Sequence, residues 1–149
     1  MTQEEKDLLL KDLCARLPYG VKLGFYASAT KQTYICTLLG LEPQEDEPVI
    51  AKTENGSFYM LAGHVKPYLF PLSNMTEEQY KEWGDLAGEP LDEILTRNAK
   101  GEIMSTLEHH LLIAKSLTDS VNYCYKNHFD IYGLIPMGLA IDATGLNIY

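Results

Sequence analysis

The sequence predicts a single α+β domain spanning 1–149: an N-terminal helix, an antiparallel sheet of about four strands, and C-terminal helices packed on one sheet face. Three observations carry that prediction. Apolar residues recur at helical spacing over residues 9–17, they alternate with period two from Val21, and an Asn55-Gly56 pair separates two extended runs. At 149 residues the chain is long enough to bury a core without disulfides or metal.

The first element is a helix. Leu9, Leu10, Leu13, Cys14 and Leu17 fall on one stripe of a 3.6-residue period, which places Cys14 in the core as a small apolar residue. Pro18-Tyr19-Gly20 then punctuates the chain before the sheet. Val21, Leu23, Phe25 and Ala27 alternate with Lys22, Gly24, Tyr26 and Ser28, the pattern of a half-buried strand. A polar loop, Thr30-Lys31-Gln32, leads to a second strand near Thr33 to Leu39, and residues 42–48 (EPQEDEP) form an acidic, proline-bounded loop. Asn55-Gly56 tolerates positive φ at both positions, so it favours a type I′ turn. Counting outward pairs Glu54 with Ser57, Thr53 with Phe58, Lys52 with Tyr59 and Ala51 with Met60. Val49, Ala51, Thr53, Phe58, Met60 and Ala62 then share a core face, while Lys52, Glu54, Ser57 and Tyr59 share a wetter one.

In the stretch KPYLFPLSNMTEEQ, Pro67 and Pro71 cannot donate to a central ladder, so the chain is at an edge or leaving the sheet. Thr76 and Gln79 make a capping box, Met75 and Tyr80 are placed as its hydrophobic staple, and Glu77 and Glu78 suit the helix dipole. As a crossover from sheet to helix, this stretch should bury Tyr68 and Leu69 and leave Phe70 at most half covered. The competing reading is a proline-bounded ligand groove. Beyond Gly88 the chain reads as helix in two or three pieces. One stripe holds Ile103, Leu107, His110, Leu111 and Ala114; another, entered through the polar Ser116 to Asp119, holds Val121, Cys124, Tyr125 and His128. The glycine- and proline-containing tail from Asp130 should pack as short turns or a strand.

Charge narrows the function. The net charge is -9, and from Glu77 to Glu93 seven acids (Glu77, Glu78, Glu82, Asp85, Glu89, Asp92, Glu93) face the single Lys81. Such a face repels a phosphate backbone, so no nucleic-acid backbone binding is expected. It is either a solvated helix surface or a patch that docks a basic protein partner. The longest uncharged apolar run, Ile131 to Ile141, is far short of the roughly 20 residues a spanning helix needs, so no membrane association is expected. The acidic start MTQEEKDLLLKDL lacks the apolar core of a secretion signal. Three distant cysteines without a Cys-x-x-Cys pair point to a reducing cytoplasm.

Chemistry-bearing motifs are few. The sequence has no glycine-rich phosphate loop, no His-Glu-x-x-His and no Gly-x-Ser-x-Gly, so no cofactor is implied. His109 and His110 lie about 100° apart on a helix and cannot easily share a metal; His110 reads as a hydrogen-bonded core residue. Cys124 and His128, at i and i+4 with Asp130 nearby, have the spacing of two metal ligands or of a thiol with its base. Tyr26 and Tyr59 are expected on the outer sides of their strands near Lys22 and Lys52. There they would either stack a nucleotide-like ligand or a peptide aromatic, or lie beneath a crossing helix.

The segments LLLKDLCARLPYGVK, KPYLFPLSNMTEEQ and NHFDIYGLIPMGLAIDA, in this order, resemble small uncharacterised proteins of gut Bacteroidales, their phages and mobile elements. That group shares an arginine-leucine-proline-tyrosine-glycine start, a lysine-proline-tyrosine-leucine centre and a His-Phe-Asp ending, from which this chain departs at Phe70, Ile131 and Pro136. The resemblance covers under a third of the chain. It implies an accessory protein of a mobile genome and carries no activity or site residue with it.

Overall fold

The computed structural model describes residues 1–27, 30–42, 50–59, 65–87 and 106–149. It is an α+β structure that divides into two compact units, Met1–Asn74 with His128–Tyr149, and Met75–Asn127.

In the first unit, α1 (Gln3–Arg16) opens on a capping box: Thr2 Oγ1 accepts from Glu5 N at 3.2 Å, and Glu5 Oε2 accepts from Thr2 N at 2.6 Å. Its buried face runs through Leu9, Asp12, Leu13 and Arg16. Cys14 is exposed, a correction to the expectation that it lies in the core. The cause is rotational. At about 100° per residue, positions 9, 12, 13 and 16 cluster on one side and position 14 points well away from them. A 3-10 turn over Leu17–Tyr19 ends on Gly20, whose φ of 66° reverses the chain into the sheet.

The sheet contains β1 (Lys22–Ala27), β2 (Gln32–Glu42), β3 (Ile50–Thr53), β4 (Gly56–Tyr59), β5 (Val65–Leu69) and β6 (Ile141–Asp142), in the order β4-β3-β2-β1-β5-β6. It is antiparallel from β4 to β5, and the tail adds β6 in parallel beside Tyr68 and Leu69. Leu9 and Leu13 join Val21, Leu23, Cys36, Leu38, Val65, Leu69, Leu134 and Leu139 in one core. The opposite face is closed at Gly24, where a Cβ would come within 2.8 Å of Ile141 and 3.1 Å of the Tyr68 ring. Only glycine fits that strand position without movement of a neighbour.

The hairpin forms, but in another register. Its pairs are Ile50 with Tyr59, Ala51 with Phe58, Lys52 with Ser57 and Thr53 with Gly56, so the two loop residues are Glu54 and Asn55 rather than Asn55 and Gly56. Thr53 decides this: its hydroxyl donates to Gly56 O at 2.9 Å and accepts from Asn55 N at 3.2 Å. Gly56 alone of the turn takes positive φ (120°). The slip is of two residues, so it conserves which side chains share a face; a slip of one would have inverted the hairpin. The expected acidic loop lies mostly outside the described residues, although Glu42 belongs to β2 and pairs with Lys52 at 2.7 Å.

Pro67 sits in β5 opposite Leu23, and β6 pairs with β5 only after it, at Tyr68 and Leu69. The proline therefore occupies a stretch of β5 with one strand neighbour, where a missing N–H is tolerated. Tyr68 and Leu69 are buried, as the crossover reading requires. Phe70 is covered more than expected. Its N–H donates to His128 O at 2.9 Å and its carbonyl accepts from Asp130 N at 2.8 Å, which draws the tail over it.

In the second unit, α2 (Glu77–Ala87) carries the expected box: Thr76 Oγ1 accepts from Gln79 N at 3.2 Å and Gln79 Oε1 accepts from Thr76 N at 2.9 Å. Tyr80, the expected staple partner of Met75, is 64% exposed, and its ring tilts against Trp83 at 5.8 Å. The expected break at Ser116 to Asp119 is absent, and α3 (Thr106–Lys126) is one helix of 21 residues. Its hydroxyls stay inside helical geometry: Thr118 donates to Ala114 O at 2.7 Å and Ser120 to Ser116 O at 3.0 Å.

Candidate functional site

Four of the seven acids picked out by sequence, Glu77, Glu78, Glu82 and Asp85, lie on α2 and are exposed; Glu89, Asp92 and Glu93 fall outside the described residues. At about 100° per residue, Glu78, Glu82 and Asp85 share a strip about 60° wide, and Glu77 lies beside Tyr80 one turn along. Glu82 is held in place by the Tyr123 hydroxyl of α3, which donates to Oε2 at 2.9 Å. Burial, then that hydrogen bond and the carboxylate charge, push the Tyr123 hydroxyl up to about 12, so it remains a donor throughout the physiological range. Ser116 Oγ donates to Leu86 O at 3.2 Å and thereby closes the last turn of α2. The acids thus stand on a helix fixed at both ends.

The expected single helical face carrying both Cys124 and His128 is not formed. Helix α3 ends at Lys126, where Asn127 Nδ2 and N both donate to Tyr123 O, at 3.0 and 3.1 Å. His128 then turns left-handed at φ 59°. Cys124 is buried in the second unit, while His128 and Asp130 belong to the first. Both Asp130 oxygens are committed, to Leu134 N at 2.8 Å and Ile135 N at 2.9 Å, which folds the following turn. Among the described residues, no three His, Cys, Asp or Glu side chains converge as a metal site would require. The side chains of His109 and His110 lie outside the described set.

A polar cluster that sequence reasoning did not anticipate lies in the first unit. Asp12 and Arg16 are both fully buried and joined in a fork, Nε to Oδ2 at 2.7 Å and Nη2 to Oδ1 at 2.9 Å. Arg16 Nη2 also donates to Phe129 O at 2.7 Å. The i,i+4 spacing of an acid and a base beside Leu9 and Leu13 was the available signal. Burial raises the Asp12 carboxyl, while the Arg16 hydrogen bonds and charge pull it back down. Nearby, the His128 ring stacks on Tyr149 at 3.9 Å, and the Tyr149 hydroxyl donates to Tyr68 O at 2.7 Å while accepting from Lys22 N at 3.1 Å. Burial, then the charge of Arg16, lowers His128 to about 4, so its imidazole is neutral near pH 7. The Arg16 and Tyr149 hydrogen bonds tie the tail to α1 and the sheet, whereas His128 contributes its stacked ring and leaves its buried Nδ1 without a hydrogen-bond partner among the described residues. The cluster acts as a latch.

The latch has a pH signature. A base whose folded pKa lies below its ordinary 6.5 binds more protons unfolded than folded, so its contribution is complete above pH 6.5 and is lost as pH falls to about 4. Asp12, raised by burial, acts in the opposite sense over part of that range. The effect of His128 is therefore isolated by comparison with His128→Asn, because asparagine tolerates the same left-handed backbone. The melting temperature of the wild-type protein should rise relative to the variant between pH 4 and 6.5; a constant difference would exclude the assignment.

On the sheet, Tyr26 is 45% exposed, so no helix fully covers it; the Tyr59 side chain is outside the described set. A hollow of about 300 Å³ lies on the core-facing side where β1 ends and β2 begins, lined by Phe25, Tyr34, Cys36 and Asn55. Burial raises the Cys36 thiol, whose Sγ lies 3.7 Å from Leu23 O, so it is a poor nucleophile. No helix among the described residues is long and apolar enough to cross a membrane. Comparison of the chain with protein-family models, with curated proteins and with solved structures finds no match.

Proposed function

We propose that this protein is a non-enzymatic interaction module that binds a basic protein partner through the exposed face of α2. The observation that carries this reading is the set of exposed Glu77, Glu78, Glu82 and Asp85 on one capped helix, with Lys81 as its sole base and the half-open Tyr80–Trp83 pair alongside. Acids steer and orient a cationic surface, and an exposed aromatic supplies contact area and a cation–π acceptor. The resemblance to proteins of Bacteroidales and their mobile elements supports a partner in the host cytoplasm.

The test is capture from a Bacteroidales cytoplasmic extract, with the captured protein then purified and titrated. Binding should weaken steeply with salt, because the screening length shrinks from about 10 Å at 0.1 M to about 3 Å at 1 M. Each exposed charge pair contributes roughly 0.2–1 kcal/mol, so Glu77→Lys, Glu78→Lys and Asp85→Lys combined should lower affinity by about tenfold or more. Affinity that ignores both salt and this triple variant would refute the reading.

A further inference from the structure

The first half of β2 has a partner on one side only. Residues 32–37 pair with β1, whereas β3 begins its pairing at Leu38, and among the described residues no strand lies against the outer edge of 32–36. Backbone direction along β2 follows from two contacts. Leu38 N donates to Val21 O toward β1, and Thr37 N donates outward to Glu54 Oε2 at 2.6 Å. Alternation then points the N–H and C=O groups of Thr33 and Ile35 outward, away from β1. The segment Gln32-Thr33-Tyr34-Ile35-Cys36 carries no charge and no proline, the devices that normally blunt an open edge. Apolar surface is exposed on both of its faces: Tyr34 at 43% on one, Ile35 and the neighbouring Tyr26 at 45% on the other.

We propose that this edge is a dimer interface, at which two copies of the chain pair their β2 strands antiparallel across a two-fold axis at Tyr34. One register satisfies the geometry. Pairing Thr33 with Ile35 of the second copy, and Ile35 with its Thr33, uses each outward backbone group once and makes four hydrogen bonds. Shifting one way by a hydrogen-bonded pair would require the Thr37 N–H, which Glu54 already occupies. Shifting the other way would require Lys31, whose φ of 54° is not that of a strand. In the allowed register, Lys31 of one copy falls opposite Thr37 of the other, beside the Glu54 carboxylate, so opposite charges meet at both ends. The two Tyr34 rings meet at the axis, and Gln32 of the second copy comes opposite Cys36, next to the hollow with Asn55. Each copy covers the Ile35 and Tyr34 surface of the other.

Sedimentation velocity over a wide range of concentration should show a reversible dimer. In a Cys14→Ser background, Tyr34→Cys should cross-link two copies under mild oxidation, because directly opposed residues of such a pair lie within disulfide reach. Ile35→Cys should not, since its two copies are offset by two residues, about 7 Å along the strand, in addition to the strand spacing. Ile35→Pro removes an outward N–H without touching the β1 ladder, and loss of two of four interchain hydrogen bonds should weaken the dimer by about tenfold or more. If that variant does not fold, amide exchange in the wild-type protein decides instead: protection at Thr33 and Ile35 should fall on dilution. A monomer at every concentration, cross-linking through position 35 but not 34, a dimer indifferent to Ile35→Pro, or a monomer that uses this edge for a different protein would each overturn the proposal.

Discussion

Arg16→Ala is expected to destabilise the first unit by about 3–5 kcal/mol. The substitution leaves the Asp12 carboxylate buried without its cation, and leaves Phe129 O without the donor that holds it at 2.7 Å. Asp12→Ala should cost a similar amount, because it strands a guanidinium instead. The informative variant is the pair together, Asp12→Leu with Arg16→Met. It removes both charges and fills the space, so its cost should be well below the sum of the two single substitutions. It should still exceed zero by about 1–3 kcal/mol, because Phe129 O remains unpaired. Urea denaturation measures all three. Additive costs, or an Arg16→Ala cost below about 1 kcal/mol, would mean that the fork does not hold the tail.

What was readable in the sequence, and what was not, divides along one physical line. Patterns whose cause is local were legible: the alternation of β1, the Thr76–Gln79 box, and the proline pair that takes the chain out of the sheet. Features decided by a distant partner were not. Asp12 and Arg16 look like solvent-facing residues of an amphipathic helix until Phe129, more than a hundred residues away, supplies a carbonyl for the guanidinium. That partner rotates the buried face of α1 and exposes Cys14. The hairpin fell between these cases. Asn55-Gly56 carries a real turn preference, but the Thr53 hydroxyl bonded across the loop and moved the turn by one position, while face parity survived. For the candidate sites, exposure of the α2 acids followed from charge and periodicity. Extending the helical period through His128 failed because Asn127 ends α3 with two bonds to one carbonyl, a stop signal of side-chain chemistry that periodicity does not register.

Leu69→Ala should lower stability by about 2–5 kcal/mol, and this substitution decides between the crossover and the groove at KPYLFP. Leu69 is fully buried in the core, and its carbonyl accepts from Ala143 N at 2.8 Å as β5 pairs with β6. Alanine retains that backbone bond, so the loss arises from the isobutyl group and the cavity it leaves. The denaturation midpoint should therefore fall with little change in the slope of the transition. Leu72→Ala, three residues further on and 48% exposed, is the matched control and should change stability by no more than about 0.5 kcal/mol. A ligand groove would reverse the pattern: truncating Leu69 would spare stability, because the side chain would line open space instead of filling the core. Near-equal effects at positions 69 and 72 would restore the groove. A difference of several kcal/mol identifies Leu69 as the residue through which the chain, leaving the sheet, remains anchored to it.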